Sequence, residues 1–285
     1  MVNSASENQG SGRKLFYGLF IFPLLIAVGM AVILCTVVLL TREVETPESL
    51  ITAIKTGAPS KRWQKAFELS NELNQGRGLI RKAGVMNEVI HILNDRQEYD
   101  AQTRSYMAMA LGRFEDPEAT GALEKTLQDE VEPEVQLYLL WALGTKGEKS
   151  SAQYVRPFLK NEREDLRQVS VYVLGVLGSS EDLPAMKILL EDKASDVRWN
   201  AALGLARLGD ESGYQVLLQM VDRSALEAMG GLGEARIEEI MVNAVKGLKY
   251  LKQKDSKSIL QNLAANDKSL KVRQEAIEIL KSVKV

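Results

Sequence analysis

Residues 196–210 read DVRWNAALGLARLGD, and their apolar positions, Val197, Ala201, Ala202, Leu205 and Leu208, fall on one face of a helix with 3.6 residues per turn. The same phase returns in QTRSYMAMALGRFED (102–116), EVQLYLLWALGTKGE (134–148) and DLRQVSVYVLGVLGS (165–179), so that each segment begins 31 or 32 residues after the one before. Two later segments, EIMVNAVKGLKYLKQ (239–253) and KVRQEAIEILKSVKV (271–285), keep it, and KRWQKAFELSNELNQ (61–75) keeps it loosely. A fixed period between 20 and 50 residues marks a repeat architecture.

A second amphipathic helix precedes each segment, as DLPAMKILLED does before Lys193 and SGYQVLLQMVD before Arg223. Turn signals divide the units at Glu115-Asp116-Pro117, Gly178-Ser179-Ser180 and Gly209-Asp210. The repeating unit is therefore a helical hairpin of about 31 residues, present seven times. One hairpin cannot bury its own apolar face, so the hairpins must stack into a solenoid with a continuous core.

The runs DVRWNAALGLARLGD (196–210) and ALGRFEDPEA (110–119) resemble the HEAT repeat, in particular the short form found in phycobilin lyases. The resemblance covers nearly everything from residue 47 to 285 and implies an all-α, right-handed solenoid. It says little of function, because the motif is structural. It also implies that Arg104, Arg167, Arg198 and Arg273, which share one register, bond acidic or carbonyl groups of a neighbouring turn, with Asp116 and Asp210 as candidate acceptors. Gln136 and Met241 stand where two further arginines would, so the ladder is expected to be broken.

Upstream of the repeats, residues 16–40 carry no charged side chain over 25 positions, roughly 37 Å of helix at 1.5 Å per residue. That length suits a transmembrane helix, and the following TREVETPE lacks the small-residue cleavage pattern of a signal peptide. The expected organisation is a polar tail (1–15), a membrane span (16–40), a linker (41–46) and the solenoid (47–285). Lys and Arg nearly tie on the two flanks, but the adjacent Arg13 and Lys14 on a short tail favour a cytoplasmic amino terminus and a solenoid on the other side.

Composition removes several function classes. Formal net charge is −2, and 34 basic against 37 acidic residues remain once Arg13, Lys14 and Glu7 are set aside, so nothing drives the chain toward nucleic acid. The one histidine, His91, reads as a packing residue on an apolar stripe, and the one cysteine, Cys35, lies within the apolar span. Multi-thiolate or multi-histidine metal sites and His-based triads lose their candidates. No His-Glu pair matches the HEAT-like iron hydroxylases, and Glu162, Glu164 and Asp165 read as a solvated loop. No catalytic residue, metal, cofactor or small-molecule substrate is expected. A lyase-like role remains the alternative.

Binding is the better expectation. Tyr106, Met109 and Arg113, then Tyr138, Trp141 and Thr145, then Val169, Tyr172 and Val176 lie one helical face apart in successive units. Stacked hairpins place these rows side by side, and the register continues polar through Asn200, Leu203 and Arg207, then Asn243, Lys246 and Tyr250. The rows thicken the core or form a patch for a protein partner. LYLLWAL (137–143), apolar almost all round, favours the patch. Two irregularities remain. GRGLIRKAG (76–84) lengthens the first step to 41 residues and offers Arg77, Arg81 and Lys82 to solvent or anionic headgroups. AMGGLGEAR (228–236) follows a helix, not a strand, so Gly230, Gly231 and Gly233 are no phosphate loop but an insertion of about twelve residues inside the sixth hairpin.

Overall fold

The computed structural model describes residues 16–41, 46–74, 83–178, 180–251 and 255–282. The chain divides into two compact units, 1–46 and 47–285. In the first, a π-helical turn, Tyr17–Ile21, runs into helix α1, Phe22–Thr41. The stretch Tyr17–Val37 has a mean hydropathy of 2.7 and none of it is buried, so it is long and apolar enough to cross a membrane. The polar tail and most of the 76–84 connector lie outside the described residues.

The second unit is an α-solenoid of seven hairpins. Its helices pair as α2, Pro47–Thr56, with α3, Pro59–Asn74; α4, Ala83–Asn94, with α5, Ala101–Leu111; and α6, Pro117–Asp129, with α7, Pro133–Lys146. Then follow α8, Ala152–Val155, with α9, Glu164–Leu177, and α10, Leu183–Ile188, with α11, Ser195–Arg207. The last two are α12, Tyr214–Val221, with α14, Glu234–Leu248, and α15, Ser256–Asn266, with α16, Leu270–Ser282. A short helix α13, Arg223–Ala228, sits inside the sixth hairpin. No strand occurs among the described residues. The first helices of hairpins four and five are broken into α and 3-10 segments; Pro157, which has no amide hydrogen, opens one of these breaks.

Second helices pack side by side along the whole unit, whereas successive first helices approach one another over fewer residues. A stack wedged in this way curves toward its second-helix side. Close approach depends on small residues where the helices cross. A β-carbon on Gly175 of α9 would lie 2.7 Å from the Gly204 α-carbon of α11, where only backbone could yield.

The hairpins are joined at their interhelical loops. The fourth residue of a second helix is arginine in α3 (Arg62), α5 (Arg104), α9 (Arg167), α11 (Arg198) and α16 (Arg273). Its acceptor is the acid three residues before the next second helix, not the expected Asp116 or Asp210. Arg62 bonds the Glu98 carboxylate at 2.8 Å, Arg104 bonds Glu130, and Arg167 bonds Asp192 through two nitrogens at 2.8 and 2.9 Å. The same guanidinium ties down carbonyls, Leu93 O for Arg104 and Asn161 O and Glu162 O for Arg167. The acid in turn accepts from its own loop: Glu130 from the Val131 and Glu132 amides, Asp192 from the Ala194 amide. Asp116 and Asp210 are too local for the task, since each accepts an amide two residues on, Glu118 and Ser212, and Asp210 also pairs with Lys187. Arg198 turns back to Asp192 O and Lys193 O, and Arg273 makes no side-chain hydrogen bond among the described residues.

Burial pushes the Glu130 carboxyl up, but the Glu132 amide, Arg104 and the Val131 amide together hold it below the usual carboxylate range. The Arg167 hydrogen bond leads in holding Asp192 down, against partial burial. A carboxylate depressed in the folded state contributes stability that is complete above its unfolded value, about 4, and is lost as pH falls through the folded value.

Three outcomes test this packing. Arg104→Ala strands a carboxylate whose side chain is fully buried, and should cost about 3–5 kcal/mol in urea or thermal unfolding at neutral pH, with the deficit shrinking as the acid protonates below about pH 4. Gly175→Ala should cost about 1–3 kcal/mol through overpacking. Gly121→Ala, on an exposed position of α6 with nothing near the added methyl, should instead stabilise by about 0.5–1 kcal/mol.

Candidate binding face

Because every second helix enters the stack in one register, equivalent side chains meet across hairpins. Phe67 of α3 packs edge-on against Tyr106 of α5, with ring centroids 5.3 Å apart, and Tyr106 packs edge-on against Tyr138 of α7 at 5.9 Å. One turn further along α7, Trp141 meets Tyr172 of α9 at 5.0 Å, and the Arg207 guanidinium of α11 stands 5.9 Å from the Tyr172 ring centre. The strip crosses five hairpins on one side of the solenoid. Edge-to-face pairs and a guanidinium over a ring are favourable geometries in their own right. Phe67 and Trp141 remain 45% and 41% exposed, so the strip is not simply core. Burial raises the Tyr138 phenol, with Tyr106 and the Glu134 carboxylate adding to the effect, so it stays a neutral donor across the physiological range.

Beside the strip lies a groove of about 410 Å³ across α7, α9, α11 and α14. Trp141, Tyr172 and Trp199 supply its aromatic wall, and Gln168, Asn200 and Asn243 place one amide per helix along it. Its charged rim is Asp165, held by Arg163 at 2.7 Å, and Arg236, which binds both Asp196 and Glu239. The Arg163 hydrogen bond and charge outweigh partial burial to hold Asp165 down, so it is an ionised acceptor rather than a proton donor. Apolar area with a few converging polar groups is the make-up of a recognition surface.

Of the residues singled out in the sequence, Tyr106, Tyr138, Trp141, Tyr172 and Arg207 come together in the strip, and Met109 lies one turn from Tyr106, half-buried. The glycines are elsewhere: Gly230 and Gly231 adopt left-handed angles (φ 69° and 73°) in the turn after α13, and Gly233 precedes α14. His91 is exposed on α4, not packed in an apolar stripe as expected, because its helix turns Val89, Ile92 and Leu93 inward instead. Two further participants stand outside the sequence register: Phe67 lies in the loosely matched first unit, and Trp199 is one residue off the row of Asn200, Leu203 and Arg207. Among the described residues no group of three His, Cys, Asp or Glu side chains is placed to hold a metal.

An all-helical stack of hairpins, joined loop to loop by arginine and carrying an aromatic strip on its second helices, defines a helical-repeat protein. The sequence model for HEAT repeats matches residues 86–175 and 157–230, and the chain belongs to that family. No curated protein sequence matches it. Among solved structures, the complex of CpcE and CpcF of phycocyanin lyase from Nostoc sp. PCC7120 is similar at 18% identity and a TM-score of 0.54, over 85% of this chain and 96% of that one. The Escherichia coli protein YibA is similar at 15% identity and a TM-score of 0.52, over 83% and 93%. An archaeal HEAT-like repeat protein from Thermococcus onnurineus NA1 follows at 13% identity and a TM-score of 0.43, over 84% and 97%. At these identities the first two likenesses speak for the fold alone.

Proposed function

We propose that the chain is a membrane-tethered, non-catalytic scaffold or assembly factor that holds a protein partner on the second-helix face of its solenoid. The carrying observation is the aromatic strip from Phe67 to Arg207, unbroken across five hairpins yet partly uncovered. Aromatic and arginine side chains dominate the energetic centres of protein interfaces. The polar groove beside the strip adds hydrogen-bonding groups where such an interface has its rim. Helix α1 supplies the tether, which raises the effective concentration of the face near membrane-bound targets. Arg13 and Lys14 favour a cytoplasmic tail and a solenoid outside the cytoplasm. A lyase-like, cofactor-handling role is the other reading, supported by a groove of small-ligand size. Among the described residues the groove is lined by neither cysteine nor histidine.

Purification of the full chain from detergent should yield a stoichiometric protein partner by mass spectrometry. Replacing Tyr138 and Trp141 together by Ala should weaken that association by roughly tenfold or more while the helical circular dichroism is unchanged. Undiminished binding by the double variant would remove the strip from the proposal. A reporter active on only one side of the membrane, fused after Val285, should be active outside the cytoplasm.

A further inference from the structure

The regularity that joins the hairpins is lost outright at two junctions, three to four and five to six, and the two losses differ; between six and seven the fourth residue of α14 is Ile237 and Arg223 supplies the guanidinium instead. Between hairpins three and four both halves of the staple are gone together: Gln136 replaces the arginine and Asn161 the acid. Packing of α7 on α9 is nonetheless extensive and the buried core runs through without a break. Between hairpins five and six the acceptor position, three residues before α14, is Gly231, and Arg198 folds back onto its own loop. Here packing between the second helices thins as well, since α11 and α14 approach each other over fewer residues than any other pair of adjacent second helices, and α11 meets hairpin six mainly through α12 and the turn before it.

The core divides at the same place. Val197, Ala201 and Leu205 of α11 belong to the cluster that fills hairpins one to five, whereas Trp199, Ala202 and Ala206 of the same helix belong to a second cluster that fills six and seven. The inserted α13 and its two left-handed glycines lie in this junction, and Arg223 of α13 takes up the lost staple toward Asp267 of the seventh hairpin. The insertion thus binds hairpin six to seven and leaves six unstapled from five. Across the gap, over the groove, runs the ion pair between Arg236 of α14 and Asp196 of α11, whose side chains are 39% and 34% exposed.

We propose that the junction between the fifth and sixth hairpins is a joint, about which helices α12 to α16 move as one body against helices α2 to α11, and that the Arg236–Asp196 pair is the latch that sets the width of the groove. In a solenoid, stability is close to a sum of repeat and nearest-neighbour terms, so a junction whose second helices pack least and which carries no staple is the one placed to open. The latch is weak by its chemistry: an ion pair this exposed is screened by salt, so it biases an opening rather than locking it. This inference concerns the mechanics of the groove and stands whether or not a partner binds there.

Spin labels placed in pairs on the full chain, in a Cys35→Ala background, read the joint directly. Thr52 and Gln153 span hairpins one to four; Gln153 and Lys257 span the same number of hairpins but cross the junction. The distance distribution of the crossing pair should be the broader of the two, and Arg236→Ala, or about 1 M salt with its screening length of about 3 Å, should broaden it further while the first pair stays as it was. A crossing distribution as narrow as the other would overturn the joint. A broad one that neither Arg236→Ala nor salt alters would overturn the latch.

Discussion

Arg104 and Arg167 each join one interhelical loop to the next, and the energetic weight of that join comes from where it sits. Glu130 is removed from water, so its charge must be met by a guanidinium and by backbone amides together. The arrangement repeats at a constant offset: fourth residue of one second helix, third residue before the next. A constant offset fixes register as well as attraction. It adds to the register that close-packed helices already set, as the in-register contact of Trp141 with Tyr172 across the unstapled third and fourth hairpins shows.

Register is what turns a repeat into a surface. Phe67, Tyr106, Tyr138, Trp141, Tyr172 and Arg207 are scattered over 141 positions of sequence yet form one strip, because each occupies an inner position of a helix that enters the stack at the same height. Close helix crossings such as Gly175 on Gly204 bring the rows near enough for rings to touch. The insertion in hairpin six interrupts both the staples and the packing, and the groove lies on that interruption. The face therefore has a stiff aromatic part and a neighbouring part whose geometry is less constrained.

The hairpin count, the core stripe and the aromatic rows were legible in the sequence because each depends on spacing within a helix, where period and face are linked by 3.6 residues per turn. The acceptors of the arginines were not. Asp116 and Asp210 look suitable beside a repeat motif, but an Asp at a helix start satisfies its own amides first, and the true partners Glu130 and Asp192 lie about 25 residues on, where only the stacked loops bring them close. Helix α13 was hidden for another reason: RSALEA is too short for its period to show, and its start is fixed by the Asp222 cap rather than by an apolar stripe. Trp199 escaped because a helix between two cores is apolar on two faces, and following one register conceals the other.

Site-specific photocrosslinking in cells tests the central claim, that the second-helix face of this HEAT solenoid is the one a partner occupies. A benzoylphenylalanine in place of Tyr172 should give one discrete, stoichiometric adduct, and the same probe in place of Ile188, 71% exposed on the first-helix side, should give none. An adduct formed from Ile188 and absent from Tyr172 would contradict the account.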